Sequence, residues 1–284
     1  MRPFSGARVL LYGAWPLGAR PRFSGARVQR ARYPGGPVAE SARTGPGWSD
    51  IAGWYDALIA SGSGPHETAV ECTLRLAGDL AGLDVVDVAC GQGLATRALA
   101  TAGAATVIGV DSSPAMLALA RAHEDSAPLG IRYVQDDAHT LATLEDDCAD
   151  GVTCQLALMD IPGLGAALAA AHRVLRPGGW LVFVIGHPCF LTPEATTTCD
   201  ADGRPARLVN RYFDEVFWRS SNPNGVRRAG NHHRPLSTYL NALIAAGFAI
   251  DLVDEPRPSA SLAAQQAEYT QVPLLWATRA RAAR

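Results

Sequence analysis

The chain reads as a doubly wound α/β protein on a mostly parallel sheet, and three observations predict it. Short runs rich in β-branched residues alternate with longer stretches of helical apolar spacing. The segments between them carry turn signals, such as SGSG at 61–64 and RPGG at 176–179. With 284 residues, 48% hydrophobic and 18% charged, the chain can fill one large core.

Each element follows in order. Residues 51–60 (IAGWYDALIA) and 66–80 (HETAVECTLRLAGDL) keep their apolar positions on one helical face. VVDVA (85–89) is a strand leading into the helix LATRALATAG (94–103). ATVIGVD (105–111) is the second strand; in the SPAMLALARAHE helix after it, Ser113 can cap and Pro114 suits the first helical position. IRYVQ (131–135), GVTCQLALM (151–159) and WLVFVIG (180–186) are three further strands, with the helix GLGAALAAAHRVL (163–175) before the last. After an insertion at 188–231 come the helix PLSTYLNALIAAG (235–247) and the strands FAIDLVD (248–254) and QVPLLWATRA (271–280). These last two lie too close for a helical crossover and can pair antiparallel. The expectation is a seven-stranded sheet with helices on both faces and right-handed crossovers.

Residues 1–47 stand apart from the folded domain expected over 48–284. They hold eight arginines and one acid, are rich in Pro and Gly, and nearly repeat RPFSGARV (Arg2–Val9) as PRFSGARV (Pro21–Val28). With no lasting periodicity, this segment is expected to be a disordered extension. Its scarcity of acids suits a transit peptide, but its many Pro and Gly oppose an amphipathic helix. A nucleic-acid arm is disfavoured, because the other residues carry 17 arginines against 26 acids and would repel phosphate. No apolar run reaches the roughly 20 residues of a membrane helix. All 25 basic residues are arginine, which suggests a GC-rich coding sequence. The six cysteines lack Cys-x-x-Cys spacing, so no metal site is expected, and they read as free thiols in a reducing cytoplasm.

VVDVACGQG, Val85 to Gly93, ends the first strand, where open α/β sheets bind ligands. Its glycines let backbone approach a ligand, and the following helix offers free N–H groups. Twenty residues after Gly91, Asp111 ends the second strand, where a carboxylate can accept both hydroxyls of a ribose. A dinucleotide or S-adenosylmethionine fits this much. A dinucleotide loop needs a third glycine where Thr96 stands, and Asp87 would repel a pyrophosphate. The residues favour a cofactor carrying an ammonium group.

VVDVACGQG, GVDSS, QDDAHTL, the strand through Met159 and HRVLRPGGWLVFVIG fall in the order and spacing of class I S-adenosylmethionine-dependent methyltransferases. HHRPLSTYLNALIAAGF and VPLLWATRARA resemble the small-molecule branch of that family. The resemblance covers roughly 48–280 and implies a Rossmann-like sheet, S-adenosyl-L-methionine as cofactor and S-adenosyl-L-homocysteine as product. It implies that Asp87 and the backbone of Gly91 and Gly93 hold the methionine portion. Asp111 would take the ribose, with Ser112 and Met116 beside the adenine. Asp137, rather than Asp136, would meet the adenine amino group, with Ala138 alongside. Gln155 and Leu156 would line the sulfonium, and Tyr55 would close over the cofactor's carboxylate. Ala89 departs from the family, where glycine is common.

The acceptor chemistry is less constrained, since methyl transfer needs alignment and sometimes a base. His187, after the fifth strand, is a candidate base. His232 and His233, before the helix at 235, are further candidates, with structural anchoring the competing role for His233. His66, His123, His139 and His172 read as surface or packing residues. The 188–231 insertion carries RYFDEVFWR, whose Tyr212, Phe213, Phe217 and Trp218 suit a lid over an organic substrate or an amphipathic helix on the body. Asp214 and Glu215 are weaker bases. No Asn-Pro-Pro-Tyr-type motif follows the fourth strand, against methylation of nucleic acid or protein. The expected function is methyl transfer to O, N or C of a small metabolite, suited to secondary metabolism, in the cytoplasm, without nucleic-acid or membrane partners; a homodimer is admissible. The rival is a methyltransferase-fold protein that binds the cofactor and catalyses another reaction, such as cyclisation.

Overall fold

The structure, a computed structural model, describes residues 45–283. The expectations for 1–44 and for Arg284 lie outside the described residues. Two helices, α1 (Trp48–Ala60) and α2 (Gly64–Ala77), precede the sheet. β1 (Asp84–Val88), α3 (Leu94–Thr101), β2 (Thr106–Asp111), α4 (Pro114–Ser126), β3 (Arg132–Gln135), β4 (Ala149–Gln155), α5 (Leu164–Val174) and β5 (Leu175–Gly186) follow. Next come the hairpin β6 (Thr196–Cys199) and β7 (Pro205–Leu208), β8 (Val216–Trp218), a 3-10 turn (Val226–Ala229) and β9 (Asn231–His233). α6 (Leu236–Ala245), β10 (Phe248–Asp254), α7 (Ala260–Gln265) and β11 (Leu275–Ala282) complete the chain.

The main sheet runs β3-β2-β1-β4-β5-β11-β10, seven strands as expected. β11 is antiparallel to both neighbours, and the other pairings are parallel. Strand alternation divides the core between two faces. Leu181, Phe183 and Ile185 join α5 and α6, while Val182 and Val184 join α2, α3 and α7. The order reverses between β1 and β4, which opens a crevice at their carboxyl ends.

Two segments differ from expectation. RYFDEVFWR forms no helix; β8 instead pairs antiparallel with β9, matching Phe217 with His232. Gly230 makes room for this, because a Cβ there would lie 2.2 Å from the Phe217 ring. The long-range strand partner overrides the local helical spacing. QLALM at 155–159 also leaves the strand after Gln155, with Leu156 in the left-handed region at φ 53°.

Candidate active site

The crevice is a cleft roofed by α1. Ser113 caps α4 by accepting from Met116 N at 3.2 Å, and its hydroxyl meets Ser49 of α1 at 2.7 Å. Asp56 of α1 also meets His123 of α4 at 2.8 Å. These contacts hold Trp48 and Tyr55 against the cleft.

Asp87 is 1% exposed. Its two oxygens accept hydrogen bonds from Thr96 at 2.6 Å and Thr153 at 2.7 Å. Thr96, which the sequence marks only as a missing glycine, is therefore a partner of the acid. Burial nevertheless pushes the Asp87 carboxyl up to about 6, with the threonines opposing. Asp111 accepts from Gly91 N and from Ser113 N, both at 2.8 Å. It thereby ties the glycine loop to β2, and burial raises its carboxyl despite these bonds. Ser113, not Asp111, caps the next helix.

The cleft is lined by Tyr55, Asp87, Ala89, Gly91, Asp111, Ser112, Met116, Asp137, Ala138, Gln155 and Leu156, together with Asp136. Gly93 is placed differently: it stands at φ 91° before α3, and a Cβ there would lie 2.4 Å from the Tyr133 hydroxyl. It shapes the turn and does not line the cleft. Asp136 is bonded to Thr143 and Asp137 N, whereas among the described residues the Asp137 carboxylate is bonded only through Oδ1, to His139. Asp137 thus keeps one oxygen free. Buried acids beside open backbone make a donor set suited to a cationic amino-acid cofactor.

Beyond Tyr55 and Leu156 the cleft joins an outer cavity of about 1180 Å³, bordered by β7, β8 and the 3-10 turn of the insertion. Trp48, Tyr55, His66, Leu156 and Asp160 line both spaces. His66, expected only to pack, bonds Tyr55 Oη at 2.9 Å and Ser63 Oγ at 2.6 Å, and burial lowers it to about 4. Asp160 stands at the junction, and its carboxylate accepts no hydrogen bond among the described residues. Burial pushes it up to about 8, with Arg227 and Arg234 opposing. Sequence reasoning missed it; the available signal was a lone acid inside the apolar run LALMDIP.

The candidate bases fall elsewhere. His187 is 2% exposed, with Nε2 on Glu255 at 2.8 Å and Nδ1 accepting from Cys189 N at 3.1 Å. His233 bonds the Tyr212 carbonyl at 2.9 Å. Neither lines the cleft or the cavity, so both anchor the insertion and are not placed for chemistry. His232 lines the cavity, but burial and Arg234 lower it to about 4. Of the four aromatics expected as a lid, Phe217 and Trp218 face the cavity. Tyr212 instead accepts from Leu236 N at the start of α6, and Phe213 is 85% exposed. Asp214 pairs with Arg211, and Glu215 with Thr238.

The comparisons with known proteins agree with this geometry. A family model for a methyltransferase domain matches residues 86–183. An S-adenosylmethionine dependent methyltransferase from Mesorhizobium loti superposes with a TM-score of 0.63 at 30% identity. That superposition covers 78% of this chain and 99% of the other. A ubiquinone biosynthesis O-methyltransferase from Pseudomonas syringae is 38% identical over 105 residues, 37% of this chain. The match spans 45% of that relative's length. With the cleft at the switch point, its acids and a superposition over 78% of the chain at 30% identity, the chain belongs to the S-adenosylmethionine-dependent methyltransferases.

Proposed function

We propose that this enzyme transfers the methyl group to an oxygen, nitrogen or carbon of a small organic metabolite held in the outer cavity. The observation that carries this reading is the junction at Asp160, where the cofactor cleft opens into a wider pocket lined by Phe217, Trp218 and Tyr269. Such a space, with aromatic walls, suits an organic molecule. The cofactor supplies an electrophilic methyl. The protein's part is to align the acceptor, exclude solvent and take a proton where the acceptor loses one. Asp160 is the group placed for that last task, in preference to His187 or His233, because it faces both spaces without a partner. A carboxyl poised near neutral pH is matched to general-base work.

The residues assigned to the cofactor keep the roles the family resemblance implies: Asp87 toward its ammonium, Asp111 toward its ribose, Asp137 toward its adenine. A role in secondary metabolism is part of the proposal. The test is incubation with methyl-labelled S-adenosylmethionine and a panel of small phenols, amines and carboxylic acids, read by mass spectrometry. Labelled product supports the reading. Binding of S-adenosylhomocysteine with substrate turnover but no labelled product would favour a non-methylating reaction, such as cyclisation.

A further inference from the structure

The outer cavity is lined by a partly buried arginine that the cofactor does not explain. Arg227, in the 3-10 turn after β8, lays its guanidinium against Gly186 at the end of β5, where a Cβ would lie 2.7 Å from Nη2. Its Cζ stands 5.7 Å from the centre of the Trp218 ring. Among the described residues its side chain makes no hydrogen bond, and no carboxylate lies within ion-pair distance of it. Arg207, across the same cavity, adds a like charge, although it is engaged with the Phe190 carbonyl and Thr197. Arg228, its neighbour in sequence, points away from this pocket's orphaned groups, bonded to the Pro223 carbonyl and stacked on Trp54 at 4.0 Å, although its own Nε is buried without a partner among the described residues.

A charge partly withdrawn from water is ordinarily paired, because its lost solvation is otherwise uncompensated. Two further cavity-lining groups are also unsatisfied: Thr192 Oγ1 and Trp218 Nε1 are buried without a hydrogen-bond partner. Acids do line this cavity, but Glu194 is taken by Arg211 and Glu268 accepts from Thr197. Asp160 remains, at the cofactor end. Charge therefore alternates outward along the site: the cationic cofactor, Asp160, then Arg227. The next group in that series is an anion.

We propose that Arg227 anchors an anionic group of the methyl acceptor, so that the substrate class is organic acids whose nucleophile points past Asp160 toward the cofactor. The guanidinium fork suits a carboxylate or a phosphate, either of which it can bind bidentately. In the transfer, the acceptor's X–H proton passes to Asp160 as the X–C bond forms and the C–S bond breaks, leaving the neutral thioether; the proton then leaves to solvent. This deepens the methyltransferase reading and rests on it.

The test uses the full chain loaded with S-adenosylhomocysteine and titrated with benzoate, phenyl phosphate and the neutral benzamide, read by ligand-observed NMR and calorimetry. Fragments of this size bind weakly, in the millimolar range at about four kcal/mol or less. The expected result is that benzoate or phenyl phosphate binds at least tenfold more tightly than benzamide. Whichever anion binds better identifies the group. Arg227→Gln should abolish that preference and Arg227→Lys should keep part of it, with S-adenosylhomocysteine affinity unchanged within about twofold in both. If Arg227→Gln does not fold, the anion preference of the wild type and the Arg227→Lys variant decide. Equal binding of benzamide, absence of anion binding, or an Arg227→Gln protein with undiminished anion affinity would overturn the proposal. Failure of the wild type to bind S-adenosylhomocysteine would instead defeat the cofactor assignment itself.

Discussion

The cofactor cleft and the outer cavity share five residues, yet their polar groups are treated in opposite ways. In the cleft, Asp87 is held by two threonines, Asp111 by two backbone N–H groups and Asp136 by Thr143. In the cavity, Asp160 and Arg227 have no partner among the described residues, and Thr192 Oγ1 and Trp218 Nε1 are orphaned. The cleft is preorganised for one invariant ligand, whereas the cavity leaves its polar groups to be completed by the acceptor. The difference predicts that cleft substitutions lose cofactor binding and stability together. Substitutions of the lone cavity groups should lose turnover without losing stability.

The largest expected effect comes from Asp111→Ala. It removes the proposed ribose acceptor and leaves the Gly91 and Ser113 N–H groups without their bonds. Cofactor affinity should fall about a hundredfold or more by calorimetry, at about 1.4 kcal/mol per tenfold. Each orphaned donor adds about 1–3 kcal/mol of destabilisation, so the melting temperature should drop as well. Unchanged affinity would remove Asp111 from the ribose and erase the first half of the comparison.

Asp160→Asn tests the other half. Loss of a positioned base should lower kcat by roughly 10²–10⁴ for a protic acceptor. The stability effect has the opposite sign. Burial raises the folded Asp160 to about 8, above its unfolded value of about 3.9, so the folded state holds the proton more tightly. Wild-type stability from this group is thus lost as pH rises from about 4 through about 8, and the asparagine should gain on the wild type across that window. The cofactor's sulfonium favours the carboxylate, as Arg227 and Arg234 already do. Affinity for S-adenosylmethionine should therefore climb with pH toward 8, more steeply than that for S-adenosylhomocysteine. Asp87, raised to about 6, adds a lower limb for both ligands. Equal pH slopes for the two cofactors in the wild type would place Asp160 away from the sulfonium.

A smaller effect separates anchoring from chemistry. His187→Ala should leave kcat within a few-fold and cost about 1–2 kcal/mol in chemical denaturation, from the orphaned Cys189 N–H and the lost Glu255 contact. A collapse of kcat with stability intact would return His187 to the reacting groups.

What could be read from the sequence divides along the same line. The cleft residues follow the ends of β1, β2 and β4 in short contiguous motifs, so local order carries their geometry. Asp87 and Asp111 are legible because strand ends converge by rule. The cavity is assembled from 160, 192, 207, 218 and 227, far apart in sequence, and nothing local distinguishes Arg227 from Arg228. RYFDEVFWR reads equally as a helix, since its partner strand lies 15 residues away. His187 and His233 were plausible by position after a strand and before a helix, but position does not show that their ring nitrogens are already engaged in holding the insertion.

The smallest effect concerns Ala89, which takes φ 55°, in the left-handed region that favours glycine, the residue the family resemblance leads one to expect there. A left-handed alanine costs roughly 1 kcal/mol, and Leu156 at φ 53° carries the same kind of strain on the opposite side of the switch point. Replacing Ala89 with glycine relieves the strain but loosens the unfolded chain by about 0.4–1 kcal/mol, so most of the gain cancels. The net expectation is a rise in melting temperature of about 1–2 °C, with cofactor affinity within threefold. A clear fall would mean that the Ala89 methyl, which lines the cleft, contributes more by contact than its backbone loses by strain. In that case the preorganisation of the cleft would rest partly on the very residue that departs from the family pattern.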